Sequence, residues 1–237
     1  MSAFAESFST AIALVRDADP QLVRIVVLSL SVSGTACLIG AVFGLAGGAW
    51  LAVTRVPGRR VLVAALNTLL GLPSVVVGLV VYLLLSRSGP LGSWGILFTP
   101  KAMVIAQSIL VLPVIAALSR QLVADSLREG GDQLGSMGAG PMTRALLMLV
   151  HERWSVVTVL LTAFGRAVSE VGAVMIVGGN IDGLTRVITT AIALETSKGD
   201  LPLALALGLI LLVVVGIVNA VVALSPGVKR QTLSGAR

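Results

Sequence analysis

An all-α integral membrane protein with about five transmembrane helices is the predicted fold class, and three observations predict it. First, 56% of the 237 residues are hydrophobic and only 12% are charged. That balance excludes an ordinary soluble domain and a disordered chain. Second, five apolar segments stand out, over residues 25–53, 61–86, 102–119, 154–177 and 201–224. Each is long enough to cross a hydrocarbon core of about 30 Å as a helix. Third, none alternates like a barrel strand, and lipid leaves no open strand edge satisfied. A chain of this length has room for one membrane domain, residues 1–237.

Charge placement argues against nucleic acid as a partner. The formal net charge is +6, but the basic residues cluster at the ends of apolar runs, as topogenic charges do, and form no phosphate-tracking stripe. Aromatic residues make up 4% of the chain, too few for a base-stacking surface. The single cysteine, Cys37, lies inside an apolar run, so no intrachain disulfide forms and the residue reads as packing.

The elements follow in order. Phe4, Phe8, Ile12 and Val15 recur at helical spacing, with Glu6 and Ser9 elsewhere. Two readings stand for this segment: an amphipathic helix lying on the membrane, or a frayed terminus. The first span holds Gly40, Gly44 and Gly48. Small residues four apart let helix backbones approach, within one protomer or between two. Pro73 and Pro113 fall inside the second and third spans, where each removes a backbone donor and is expected to kink its helix. Such a kink either lines a pathway or fits a neighbour.

Between the third and fourth spans lies a polar, glycine-rich interruption, Asp125-Ser-Leu-Arg-Glu-Gly-Gly-Asp-Gln-Leu-Gly-Ser-Met-Gly-Ala-Gly-Pro-Met-Thr-Arg-Ala-Leu-Leu-Met-Leu-Val150. A plain connection between two membrane helices needs only a few residues. This one has helix formers at both ends and a small-residue elbow at Gly138-Ala139-Gly140-Pro141. It is expected to present a structured surface to a partner, over residues 120–153.

The fourth span carries Arg166 and Glu170, which share a face at i and i+4 on a helix and are expected to pair. A charge at bilayer depth is costly, so the pair faces a bundle interior or a wet cavity. It is either a gate for an anion or an internal pair that fixes packing. Of the carboxylates, Glu170 alone is expected to lie deep.

Placing residues 54–60 in the cytoplasm orients the spans. That side then holds Arg55, Arg59, Arg60, Arg120, Arg128, Arg144, Arg153, Lys229, Arg230 and Arg237, against Arg16, Arg24, Arg87, Lys101, Arg186 and Lys198 opposite. Ten against six favours an outer N-terminus and an inner C-terminus.

Catalytic motifs are missing. His151-Glu152 has no second histidine, since His151 is the only one. There is no Gly-x-Ser-x-Gly elbow and no Gly-x4-Gly-Lys-Ser/Thr phosphate loop, so ATP, if used, is handled by another subunit. No metal ligand set or cofactor is expected.

The interruption resembles the cytoplasmic signature of ABC importer permeases, usually written Glu-Ala-Ala-x3-Gly-x9-Ile-x-Leu-Pro. Two registers fit, Glu129 to Gly135 and Asp132 to Gly138. The second is preferred, because Gly138-Ala139 matches the common Gly-Ala and Met148-x-Val150-His151 falls at Ile-x-Leu-Pro. The chain departs from the pattern at Asp132, Gln133, Leu134 and His151. Gly71-Leu-Pro-Ser-Val-Val-Val-Gly-Leu79 and Phe164-Gly-Arg-Ala-Val-Ser-Glu-Val-Gly-Ala173 are similar to stretches of molybdate-type oxyanion permeases. Leu84-Leu-Ser-Arg-Ser-Gly-Pro-Leu-Gly92, Ile176-Val-Gly-Gly-Asn-Ile181 and Thr189-Thr-Ala-Ile-Ala-Leu-Glu-Thr-Ser-Lys198 are similar to tungstate permeases.

The resemblance implies a type I importer fold in the prokaryotic cell membrane. It implies a non-catalytic permease that passes an oxyanion, tungstate ahead of molybdate or sulfate. The implied partners are a separate ABC ATPase, an extracytoplasmic oxyanion-binding protein, a second copy of the chain and membrane lipid. Glu129, Asp132, Gly135, Gly138 and Ala139 are the implied ATPase-coupling residues. Pro73, Ser74, Arg166 and Glu170 are the implied pathway or gate residues. A self-sufficient secondary transporter is the alternative of a different class. It needs inverted repeats and coupling carboxylates at mid-membrane, and five spans do not divide into equal halves. An intramembrane hydrolase would need a nucleophile–base pair, which the chain lacks.

Overall fold

The structure is a computed structural model that describes residues 3–54 and 56–224, with the side chains of residues 3–6 left aside. The expectations for Phe4, Glu6, Arg55, Lys229, Arg230 and Arg237 therefore lie outside the described residues. The described chain is helical, with no strand. Three helices are long and apolar enough to cross a membrane: α2 (Pro20–Val53), α5 (Pro100–Ser136) and α10 (Leu201–Leu224). Counting each sharply bent pair as one broken span gives up to five. One pair is α3 (Arg59–Leu70) with α4 (Ser74–Leu85), bent by 98°. The other is α6 (Pro141–His151) with α7 (Arg153–Val168), bent by 78°. The remaining helices are α1 (Ala3–Arg16), α8 (Gly172–Gly178) and α9 (Ile188–Lys198), with a short 3₁₀ turn at Gly92–Trp94.

The chain divides into two compact units. The first comprises Met1–Ala36, Pro73–Gln107 and Arg166–Ile217. Its core gathers Ala11, Leu22, Ile25, Ile188, Ala191, Ala206 and Leu207 from α1, α2, α9 and α10. Helix α1 buries Ala11 and leaves Phe8, Ile12 and Val15 on its exposed side. Asp19 starts α2 by accepting the Gln21 and Leu22 amides at 2.9 and 3.0 Å, with Pro20 in the first helical position. Helices α4 and α8 pack closely through glycine. A Cβ on Gly78 would lie 2.8 Å from Ala173 Cα, and one on Gly172 2.7 Å from Val75 Cγ2.

The second unit comprises Cys37–Leu72, Ser108–Gly165 and Val218–Arg237. Here Gly40, Gly44 and Gly48 let α2 approach α5 within one protomer. A Cβ on Gly44 would lie 2.9 Å from Ile115 Cβ, and one on Gly48 would overlap Ser119 Oγ and the Ala116 carbonyl. Ser119 Oγ donates to the Gly44 carbonyl at 3.2 Å, a bond available only at this short separation. Ala49, Val123 and Ala145 continue the core toward α6. Arg59 donates from Nε and Nη2 to the Leu51 and Ala52 carbonyls at 3.0 and 3.3 Å. It thereby satisfies orphan acceptors at the end of α2.

The kink expected at Pro73 is a full break, and the extents of the third and fourth spans need correction. The second span is two helices, because Gly71 ends α3 and Pro73, extended at φ −65°, ψ 123°, precedes α4. The fourth span is also broken. Helix α7 stops at Val168 and α8 begins at Gly172. Conversely, α5 runs through Pro113 without interruption and continues 17 residues beyond the expected end at residue 119. A proline costs a helix one donor, and the chain on both sides of Pro113 is rich in good helix formers. The polar stretch 120–136 is thus an extension of the third span.

The glycine seam yields a paired test. Gly47 has nothing within 4 Å of an added Cβ, whereas Gly48 meets backbone. Gly48→Ala is expected to lower the stability of the detergent-solubilised protein by about 1–3 kcal/mol through overpacking. Gly47→Ala should leave it unchanged or raise it slightly. Equal melting temperatures for the two variants would refute the close α2–α5 contact.

Candidate functional site

The first candidate region is the elbow after α5. Its C-terminus closes as a Schellman motif. The Ala139 amide donates to the Leu134 carbonyl and the Gly138 amide to the Gly135 carbonyl, both at 3.0 Å. Gly138 takes φ 82°, which favours glycine because a Cβ there crowds the neighbouring carbonyl. Gly140 is extended, and Pro141 opens α6. An added Cβ on Gly138 meets nothing within 4 Å, so the chain itself leaves that face open. Gly135, in contrast, lies inside α5. Of the two registers, Asp132 to Gly138 is the one that puts its glycine at the turn. The elbow joins a 37-residue helix to an 11-residue one, where two short helices were expected.

Helix α6 is two-faced. Ala145 and Met148 are buried, and Ser126 Oγ donates to Met148 Sδ at 3.0 Å. Met142, Leu146 and Val150, at i, i+4 and i+8, are exposed, and Met137 at the elbow is 81% exposed. Glu129 and Asp132 are exposed near the end of α5, and Ala139 is half-buried. The result is an apolar stripe beside carboxylates on a helix locked from behind.

The second region surrounds the break between α7 and α8. Glu170 does not continue the helix that carries Arg166, and no ion pair joins them among the described residues. The expected pairing fails because i,i+4 proximity requires unbroken helix. Glu170 Oε1 accepts the Ala173 amide at 3.4 Å and so caps α8, a favourable place for a carboxylate. Arg166 is exposed and Glu170 half-buried. Ser74 sits where α4 begins, its Oγ 2.8 Å from the position of a Cβ on Gly172. Pro73, Ser74 and Glu170 thus converge at the adjacent starts of α4 and α8.

Two residues that sequence reasoning missed hold this break. Gln107, buried, donates from Nε2 to the Ala167 carbonyl at 2.9 Å. Thr189 Oγ1 donates to the Glu170 carbonyl at 2.7 Å. Gln107 is the one amide in the run 102–119, and that was the available signal. Among the described residues the most buried carboxylate is Glu195, 4% exposed. Glu195 Oε1 lies 3.1 Å from Lys198 Nζ and 3.9 Å from Arg186 Nη1, and Arg186 also meets Asp182 at 3.2 Å. The i,i+4 and i,i+3 spacings of these residues could have revealed the cluster.

Comparison with known proteins supplies the family. No family model matches the chain. The tungstate uptake system permease protein TupB of Peptoclostridium acidaminophilum is 43% identical over 225 residues, covering 94% of this chain and 97% of the relative. A probable anion ABC transporter permease protein of Haloferax volcanii is 45% identical over 204 residues, covering 84% and 88%. The sulfate transport system permease protein CysW of Escherichia coli K12 is 32% identical over 182 residues, covering 71% and 60%. The chain belongs to the ABC transporter permease family that includes the tungstate uptake permeases, and it is a multi-pass transport subunit of the cell membrane.

Proposed function

We propose that this chain forms the transmembrane pathway of a tungstate importer. The observation that carries the reading is the near full-length match to a tungstate uptake permease, against a lower and partial match to a sulfate permease. Two copies enclose the pathway. A separate ATPase docks on the cytoplasmic side, and an extracytoplasmic binding protein delivers the anion. ATP binding closes the ATPase, shifts the docked helix and opens the pathway outward.

Residues 120–153 are assigned to the cytoplasmic coupling region. Its support is the exposed stripe Met142–Leu146–Val150 beside Glu129 and Asp132, a small apolar core with polar surroundings of the kind partners bury. Because α6 is packed on α5 and α2 through Ala145 and Ala49, a push on its outer face moves those helices with it. Pro73, Ser74, Arg166 and Glu170 are assigned to the pathway. Its support is the discontinuity itself, since broken helices in transporters present unpaired amides and polar groups to a passing ion.

Three measurements test this. Uptake of radiolabelled tungstate by vesicles holding the assembled transporter should persist in a large molar excess of sulfate. Sulfate uptake at rates equal to tungstate would reject the assignment of substrate. For topology, Ser136→Cys in a Cys37→Ala background should react with an impermeant thiol reagent from the cytoplasmic face alone. Labelling from outside alone would remove the coupling reading. For coupling, Gly138→Val forces a branched residue into positive φ, at a cost of about 1–2 kcal/mol or more. We expect a folded bundle with weakened ATPase co-purification and no ATP-driven uptake. Gly138→Asn, which tolerates this φ, should retain more association. Full association and uptake in Gly138→Val would show that the elbow does not couple.

A further inference from the structure

The second unit contains a cleft of about 930 Å³ whose wall shares Asp132 and Met142 with the proposed docking surface and adds two arginines that have been given no individual role. Its walls come from the end of α2, the last turns of α5 and the start of α6, and they include Trp50, Thr54, Arg59, Asp132, Met142 and Arg144. Two of these are guanidinium groups that the fold fixes in place. Arg59 is anchored through Nε and Nη2 to the Leu51 and Ala52 carbonyls. Arg144 is half-buried and lies over Gly135, its Nη1 3.4 Å from the position of an added Cβ. The Nε of Arg144 is buried and has no hydrogen-bond partner. Neither arginine belongs to an ion pair among the described residues.

Because the Arg144 Nε is enclosed by protein and the Arg59 Nε and Nη2 are bonded to carbonyls, the donors left for an acceptor in the cleft are the terminal Nη groups of Arg144 and the remaining N–H groups of Arg59. Planar guanidinium groups bind tetrahedral oxyanions through two parallel hydrogen bonds, in a geometry lysine cannot match. The same cleft is lined by Pro141 at the start of α6, a helix end with no side-chain cap and a partial positive charge. Trp50 is exposed at the end of an apolar span, where tryptophan marks the membrane–water boundary. Among the described residues of the wall, Arg59 and Arg144 exceed Asp132 by one positive charge.

We infer that this cleft is a binding site for a tetrahedral oxyanion, clamped by Arg144 and Arg59. Two sources share that chemistry: the phosphodiester of an anionic lipid in the cytoplasmic leaflet, or a free oxyanion from solution. The net charge of the wall suits the phosphodiester monoanion. The site does not depend on which anion the transporter carries, and it is tested on the chain without its ATPase because the wall shares Asp132 and Met142 with the proposed docking surface.

Native mass spectrometry of the full-length chain in detergent tests the inference, titrating phosphatidylglycerol against phosphatidylcholine. Phosphatidylglycerol is expected to bind about tenfold more tightly, from charge-assisted hydrogen bonds. Arg144→Gln should abolish the preference, Arg144→Lys should retain part of it, and Asp132→Asn should strengthen it by removing a repelling charge. Parallel thermal-shift titrations with inorganic phosphate and with tungstate separate the sources. Displacement of phosphatidylglycerol by either ion assigns the site to free oxyanions, and no displacement assigns it to lipid. Equal binding of the two lipids together with no shift by either ion overturns the proposal. So does an unchanged preference in Arg144→Gln of native melting temperature. If Arg144→Gln does not fold, the exposed Asp132→Asn decides: unchanged phosphatidylglycerol binding there overturns the proposal.

Discussion

Every break in a helix within hydrocarbon strands amides and carbonyls that water cannot reach, and satisfying them is the constraint that shapes the first unit. The break between α7 and α8 is supplied locally. Gln107 takes the Ala167 carbonyl, Thr189 takes the Glu170 carbonyl, and the Glu170 carboxylate takes the Ala173 amide. Each bond comes from a different helix or from the break itself, so α5, α8 and α9 are tied to one point. Glycine then allows α4 and α8 to start side by side, since Gly78 and Gly172 have no room for a Cβ. A discontinuity held this way is a built feature, and it puts irregular backbone where a membrane protein tolerates it only against protein or a cavity.

The second unit solves a different problem, which is to hold a partner-facing helix rigidly. The seam of Gly40, Gly44 and Gly48 brings α2 against α5. The seam continues into Ala49, Val123 and Ala145, all small or branched, so α6 is packed against the same pair of helices. Without that backing, a helix of 11 residues would be marginal in water. With it, the exposed methionine and leucine side chains of α6 stand on a fixed base, and the Gly138 turn sets the direction in which they point.

How much of this was legible follows from what each signal depends on. Span existence, all-helical class and the glycine turn were readable, because hydropathy and the left-handed preference of glycine are local. The glycine seam was visible as spacing, but its partner was not, since Ile115 and Ser119 lie some seventy residues away. Span continuity was misjudged at Ser169, where the fourth span breaks, and the end of the third span was placed too early. Composition reports that a segment is apolar, not whether a side chain elsewhere will satisfy a freed carbonyl. Gln107 does so at Ala167, which permits a break where the hydropathy profile shows none. The Arg166–Glu170 pairing failed for the same reason, because it assumed a helix that another helix had licensed to stop.

The charges sort by compensation. Glu195 is nearly inaccessible, yet Lys198 and Arg186 face it and Asp182 faces Arg186, so the group closes on itself and reads as structure. A buried carboxylate with such neighbours is costly to unpair, which ties the loop before α9 to the end of that helix. Arg166, Arg144 and Arg59 are different. No carboxylate lies within ion-pairing distance of any of them among the described residues. In a chain with 11 acidic residues and 17 basic ones, leaving these particular guanidiniums without a carboxylate keeps them available to an anion. Among the described cations, Arg128, Arg186 and Lys198 meet a carboxylate; the guanidiniums near the proposed pathway and cleft share the unpaired state of most of the others, whereas the most buried acid is the one that two cations face.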